Sequence, residues 1–159
     1  MGDFTHLDEQ NNPQMVDVGS KNITKRVAKA SCLVELPADI VEQLKDGDIE
    51  TKKGPVFQTA ILAGIMAAKR TADLIPLCHP LAINKCDVKI EVESSNTVRI
   101  ISTVSLNGKT GVEMEALVAA NVAGLTIYDM CKGFSHDITL KETKLLEKTG
   151  GKSDFKRDN

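Results

Sequence analysis

Two Gly-Lys-Ser/Thr triplets, at residues 108–110 and 151–153, combine free backbone amides with a cation, a pattern suited to binding an anion. A P-loop would require a glycine five residues before the second glycine of the motif, but Thr103 and Leu146 stand at those positions. Neither triplet is therefore a P-loop. Each could still hold an anion, and each could equally be an ordinary turn.

A long helix is predicted over residues 112–131, with no charged residue between positions 116 and 128. Near its start, Thr110 and Glu113 fit the S/T-x-x-E capping box. Glu113 could therefore be a helix cap or a binding residue, whereas Glu115 has no such structural explanation.

Asp129 and Lys132 lie near the end of the same helix at i, i+3 spacing, which allows an ion pair. The pair could be an ordinary surface pair or a proton-transfer site.

Glu115 and Asp129 share a helix face but are separated by about 21 Å of helix rise. If both carboxylates serve small-molecule sites, the helix contributes to two sites or to one pocket built from two protomers, and we expect a homo-oligomer. Three small residues on this helix are expected to allow close helix–helix contact between protomers: Ala116, Ala120 and Gly124.

His79 lies in a short segment bracketed by Pro76 and Pro80, which hold its backbone in a stiff, non-helical connection. A histidine in such a segment suits acid–base chemistry or phosphate contact, and it could equally be structural. Lys53, in the Gly-rich loop before the next predicted helix, is another cation that could be functional or merely solvated.

Composition narrows the class of protein. The chain has 159 residues and a formal net charge of -2, with one Tyr, four Phe and no Trp, so it lacks the positive field and the stacking rings typical of nucleic-acid binding. Its longest uncharged stretch, residues 54–68, is shorter than the roughly 20 residues of a membrane span. No secretion signal is evident, so we expect a cytoplasmic protein. The four cysteines are scattered, which predicts free thiols and no metal site.

The element order predicts an α+β fold. A polar arm over residues 1–20 precedes a single domain over residues 21–159. Within that domain, apolar periodicity and turn residues predict strand, helix, helix, hairpin, helix and strand, which is close to β-α-β-β-α-β with one extra helix. This order favours an antiparallel sheet with helices packed on one face. The predicted elements are a strand at 26–36, a helix at 38–46, a helix at 56–73, a hairpin at 86–106, the helix at 112–131 and a last strand from 136.

Four longer runs are more specific than any short motif: DLIPLCHPL (73–81), GKTGVEMEAL (108–117), LTIYDMCK (125–132) and GGKS (150–153). Together with MVDV (15–18) and AAKRT (67–71), they closely resemble the cyclic pyranopterin monophosphate synthase family of molybdenum cofactor biosynthesis. The resemblance covers nearly the whole chain.

This resemblance implies a lyase that converts a GTP-derived, 3′,8-cyclised nucleotide into cyclic pyranopterin monophosphate and releases pyrophosphate. It implies a ferredoxin-like fold in a homohexamer, a trimer of dimers, with sites between subunits. No tightly bound cofactor is expected, although Mg²⁺ could accompany the triphosphate. A non-catalytic ferredoxin-like module that binds a small anion is the alternative.

The resemblance also implies residue roles. Asp129 matches the catalytic aspartate, and Lys53 and Lys132 match lysines of the acid–base steps. The expected substrate-binding residues are Leu77, Cys78, His79, Glu113, Met114 and Glu115, and the expected triphosphate contacts are Arg26, Lys148 and Lys152.

Overall fold

The computed structural model describes residues 6–158. Its strands are β1 (Thr24–Glu35), β2 (Leu44–Lys45), β3 (Asp48–Thr51), β4 (Gly54–Pro55), β5 (Lys85–Ser94), β6 (Thr97–Gly108), β7 (Thr139–Thr149) and β8 (Phe155–Lys156). Its helices are α1 (Ala38–Val41), α2 (Val56–Ala68), α3 (Thr71–Leu74) and α4 (Glu113–Cys131).

An antiparallel sheet in the order β5-β6-β1-β7-β8 forms the centre of the fold. The two long helices, α2 and α4, pack against each other and against one face of this sheet. The four long strands follow the ferredoxin-like order, which confirms the predicted α+β class. A second, three-stranded sheet, β2-β3-β4, lies beside α2.

Buried and half-buried residues alternate along β6, and the buried ones form the face of the sheet that packs against the helices. Alternate residues from Val98 to Leu106 are buried, and the residues between them are half-buried. Ser102 is the one polar residue in the buried series, and its hydroxyl donates a hydrogen bond to the Ala116 carbonyl of α4 at 2.6 Å. Because this buried hydroxyl has a hydrogen-bond partner, its burial carries no cost of an unpaired polar group, and the bond links α4 to the sheet.

Small residues set the distance between the two helices. A Cβ atom built on Gly64 would lie 2.8 Å from the carbonyl oxygen of Ala119, so only glycine permits this approach of α2 to α4. Ala116, Ala120 and Gly124 are buried within the same chain, and Gly124 faces Leu140 of β7. The expectation that these three residues mediate contact between protomers is therefore wrong, because the sheet already covers them.

The predicted helix at 56–73 is shorter than expected. It ends at Ala68, because Arg70 leaves helical geometry with φ -117° and ψ 15°, and α3 then begins at Thr71. The buried Thr71 hydroxyl donates to the Ala68 carbonyl at 3.1 Å, which satisfies one of the last carbonyls of α2.

The helix predicted over 38–46 is also shorter, since only α1 forms and β2 follows it. Asp46 and Gly47 have φ values of 51° and 84°, the left-handed geometry of a two-residue hairpin turn that joins β2 to β3. Within the described residues, no helix is long and apolar enough to cross a membrane.

Candidate active site

Asp129, near the end of α4, lies between two lysines. Its Oδ1 is 2.7 Å from Nζ of Lys132, and its Oδ2 is 3.2 Å from Nζ of Lys53. The hydrogen bond from Lys132, followed by that from Lys53, lowers the pKa of the Asp129 carboxyl. The same hydrogen bond to Asp129 raises the pKa of Lys132. All three side chains are about half exposed, so this cluster can reach a substrate from solvent.

Lys53 reaches Asp129 because a tight turn carries it there. Thr51 pairs with Gly54 across β3 and β4, and Lys52 and Lys53 form the two-residue turn between them. The Thr51 hydroxyl accepts a hydrogen bond from the Lys53 amide at 3.1 Å, and Gly54 adopts φ 105°, which favours glycine. Nζ of Lys53 also donates to the carbonyl oxygen of Asp129 at 3.3 Å, so it binds the negative end of the helix as well as the carboxylate.

Asp48, at the start of β3, anchors this turn to the rest of the fold. Its carboxylate accepts hydrogen bonds from the amides of Phe57 at 2.7 Å and Gln58 at 3.1 Å, the exposed donors at the start of α2. This role of Asp48 has no local sequence signature, because the cap acts from nine residues before Phe57 rather than from the position next to the helix.

A cleft of about 420 Å³ lies at the other end of α4. Its lining residues are His6, Val16, Val18, Lys21, Leu77, Cys78, His79, Leu81, Thr110, Gly111, Glu113 and Met114. Nε2 of His79 lies 2.9 Å from the carbonyl oxygen of Val16. A carbonyl can only accept, so Nε2 carries the proton of this hydrogen bond.

Glu115 is almost fully buried and lines a small polar cavity with His79, Lys69 and Arg70. Burial raises the pKa of its carboxyl, so Glu115 holds a proton to higher pH than an ordinary glutamate. Burial also raises the pKa of the neighbouring Cys78 thiol, with a further contribution from the charge of Glu115. Cys78 is therefore suited to contact rather than to nucleophilic attack.

A basic pocket adjoins the cleft. Five cationic side chains line it, together with the carboxylate of Glu113: Lys21, Arg26, Lys109, Lys148 and Lys152. Two long hydrogen bonds orient the Arg26 side chain. Its guanidinium donates to the Gly108 carbonyl at 3.4 Å and to the Lys109 carbonyl at 3.3 Å. Such an excess of cations in one concave region favours a ligand with several negative charges.

Glu113 does not form the capping box that its spacing from Thr110 allows. Val112 precedes the first helical residue, and no side chain caps the start of α4. Glu113 instead lies 3.2 Å from Nζ of Lys148 on β7, inside the basic pocket. The capping alternative for Glu113 is therefore wrong, and its binding role stays a prediction.

The expected residues form two separate groups in one chain. The cleft and the basic pocket share Lys21, Thr110, Gly111 and Glu113, so they form one continuous region. Eight of the nine expected substrate-binding residues line this region, and the ninth, Glu115, lines the small polar cavity, which shares His79 with the cleft. The cluster of Lys53, Asp129 and Lys132 lies at the opposite end of α4, about 24 Å of helix rise from Glu113. Two polar residues that line this region, His6 and Lys21, were not among the predicted site residues, because they carry no recognisable local motif.

Within residues 6–158, no three His, Cys, Asp or Glu side chains are grouped so as to hold a metal ion. The site chemistry that the side chains themselves provide is proton transfer at the carboxylate–lysine cluster and charge neutralisation in the basic pocket.

Comparison with known proteins adds independent information. A family model described as the MoaC family matches residues 15–151. The "Molybdenum cofactor biosynthesis bifunctional protein" of Synechocystis sp. is 54% identical over 95% of this chain and 45% of its own length. The "Molybdenum cofactor biosynthesis protein 1" of Dictyostelium discoideum is 46% identical over 95% of this chain and 27% of its own length. The chain thus spans less than half the length of either relative.

Proposed function

Because the chain belongs to the MoaC family, we propose that it is a cyclic pyranopterin monophosphate synthase that acts in molybdenum cofactor biosynthesis. The reaction we propose is that of a lyase, in which a 3′,8-cyclised GTP derivative is rearranged to the pterin and pyrophosphate leaves as a cyclic phosphate closes. The observation that carries this proposal is the Asp129 carboxylate held between two lysine ammonium groups at 2.7 and 3.2 Å.

The cluster supplies what a ring rearrangement needs. Opening a purine ring and closing a pterin ring require several proton transfers, and positioned acids and bases accelerate each of them. In our proposal the ionised Asp129 accepts protons, while Lys53 and Lys132 donate them. The three groups are joined by hydrogen bonds, so the proton acceptor and both donors lie next to one another.

The basic pocket supports the phosphate part of the reaction. Arg26, Lys148 and Lys152 converge there, and cations that neutralise a leaving pyrophosphate are a general requirement of such transfers. We propose that the ring portion lies in the cleft against Leu77, Cys78, His79 and Met114, with Glu115, whose pKa is raised by burial, as a proton donor. The reaction we propose needs no resident cofactor, and Mg²⁺ could enter with the triphosphate.

A site completed by two protomers would bring the separated groups together. We propose a homo-oligomer, a hexamer built as a trimer of dimers, in which the Asp129 cluster of one protomer faces the cleft of its partner. Three large apolar side chains on the long helices support an interface, because they remain exposed in the single chain: Leu62, Met66 and Leu125.

The test is pyrophosphate release from the cyclised GTP derivative by the wild type and by the Lys53→Ala variant. We expect loss of the lysine to lower turnover by about 10²-fold, within the range for removal of one general acid or base. Lys52→Ala is the matched control, since Lys52 occupies the neighbouring position of the same turn. Wild-type protein that binds the derivative but releases no pyrophosphate would overturn the proposal and leave a binding module.

A further inference from the structure

Lys21 is the one cationic side chain that lines both the cleft and the basic pocket within the described residues. Arg26, Lys109, Lys148 and Lys152 line the basic pocket alone. A ligand that places its ring in the cleft and its terminal phosphates in the basic pocket must pass Lys21 where these two parts join. In a nucleoside triphosphate, that junction is the α-phosphate.

The segment that carries Lys21 is fixed to this region by side chains from two other loops. Nε2 of His79 donates to the Val16 carbonyl at 2.9 Å, and Nζ of Lys109 donates to the Gly19 carbonyl. The Lys21 amide in turn donates to the Val18 carbonyl at 3.1 Å. Residues 16–21 therefore form a wall of the cleft, with Lys21 held at its end.

Three other cations near the junction also contact the protein, so part of their hydrogen-bonding capacity is already used. Lys109 binds the Gly19 carbonyl, Arg26 binds the Gly108 and Lys109 carbonyls, and Lys148 pairs with Glu113. Within the described residues, no acidic side chain lies within ion-pair distance of Lys21. Its ammonium group is thus available for a ligand.

We propose that Lys21 binds the α-phosphate and stabilises the charge that develops there as pyrophosphate leaves, an inference that rests on the proposed function. In this step a substrate hydroxyl oxygen forms a bond to the α-phosphorus. The bond from that phosphorus to the bridging oxygen breaks, and its electron pair leaves with pyrophosphate. The hydroxyl proton passes to the carboxylate of Glu113, which lines the same junction.

Lys21→Met and Lys21→Arg test this assignment, with Lys25→Met as the matched control. Lys25 is also exposed and near the start of β1, but it lines neither cavity. Three quantities are measured for each variant: kcat on the cyclised GTP derivative, the dissociation constant of GTP, and that of inorganic pyrophosphate.

We expect Lys21→Met to lower kcat by about 10²-fold, as for removal of one group that stabilises transition-state charge. We expect it to weaken GTP binding by about tenfold, the effect of losing one charged contact, and to leave pyrophosphate binding within about twofold of the wild type. Lys21→Arg should restore part of the lost turnover, and Lys25→Met should match the wild type.

Equal weakening of GTP and pyrophosphate would place Lys21 at the terminal phosphates and overturn the assignment. Unchanged kcat and unchanged GTP binding in Lys21→Met would overturn it as well. Failure of the proposed function has a different signature, namely a wild type that releases no pyrophosphate. Even then, the ratio of GTP to pyrophosphate binding in Lys21→Met decides whether Lys21 contacts the α-phosphate.

Discussion

Glu115 and Asp129 are carboxylates of the same helix in opposite environments. Asp129 is exposed between two lysines, which lower its pKa, whereas burial raises the pKa of Glu115. One carboxyl is therefore kept ionised and the other is biased towards its protonated form. Pairs of carboxyl groups whose environments separate their pKa values are a general basis for assigning a base and an acid. This contrast supports Asp129 as the proton acceptor and Glu115 as a donor.

Glu115→Gln should make the protein more stable at alkaline pH and less active. Below the ordinary glutamate pKa of 4.5, the wild-type side chain is protonated in both the folded and the unfolded chain, so the variant and the wild type should have similar Tm values. As pH rises through the raised pKa of the folded state, the wild type loses stability because a buried charge forms, and glutamine forms none. Thermal denaturation at about pH 4 and about pH 8 measures this difference. Turnover should fall by about 10²-fold.

The half-buried, lysine-paired Glu113 provides the control for this experiment. Glu113→Gln removes an ion pair rather than a buried charge, so no rise in Tm at alkaline pH is expected. A lower Tm for Glu115→Gln than for the wild type at pH 8 would contradict the argument from burial.

Local spacing predicted only part of the candidate site. The Asp129–Lys132 pair follows from its i, i+3 positions on a helix, and the structure confirms it. Lys53 lies 76 residues from Asp129 in the chain, so no periodicity could connect them, and only the family resemblance brought them together. Lys21 was missed because an isolated lysine in a polar segment has no local signature.

At the level of elements, apolar periodicity predicted the long strands and α4, and it missed the small sheet. The strands β2, β3 and β4 are two to four residues long, and Ile49 is their one fully buried side chain, so they show no alternation. The dipeptide Asp46-Gly47 could have indicated the turn between β2 and β3, since Asp-Gly is typical of a two-residue hairpin turn. The long helix pattern that follows Pro37 obscured it.

Packing of α2 against α4 predicts a stability effect at Gly64. In Gly64→Ala the added methyl would lie 2.8 Å from the Ala119 carbonyl and 3.3 Å from Val88, so the helices must move apart. We expect the free energy of unfolding to fall by about 1–3 kcal/mol, the usual effect of overpacking. Urea denaturation measures it. Gly133→Ala is the control, because nothing lies within 4 Å of a Cβ at that position. Equal stability of the two variants would show that the helices do not meet at Gly64.

At the level of the whole molecule, α4 separates the Asp129 cluster from the cleft, the two regions that we propose are half-sites of one active site. Its interior carries Ala and Gly against the sheet, and its two ends carry the groups suited to chemistry. Glu113 and Asp129 are about 24 Å apart along this continuous helix, so the two regions of one chain cannot meet. In a two-fold dimer each half-site can face the other half-site of the partner, which makes two complete sites from two chains.

Mixed oligomers test this arrangement directly. Asp129→Asn removes one half-site and Glu115→Gln removes the other, so each variant alone should be nearly inactive. When the two variants are co-expressed with different tags and purified through both, a site formed by one intact half from each chain should regain activity. In a two-fold dimer with one chain of each variant, one of the two sites has two intact halves. Asp129→Asn mixed with Lys53→Ala is the control, because both substitutions damage the same half-site and every site then contains a damaged half. Restored turnover in the first mixture and none in the second is expected, whereas no restoration in either would mean that each chain completes its own site.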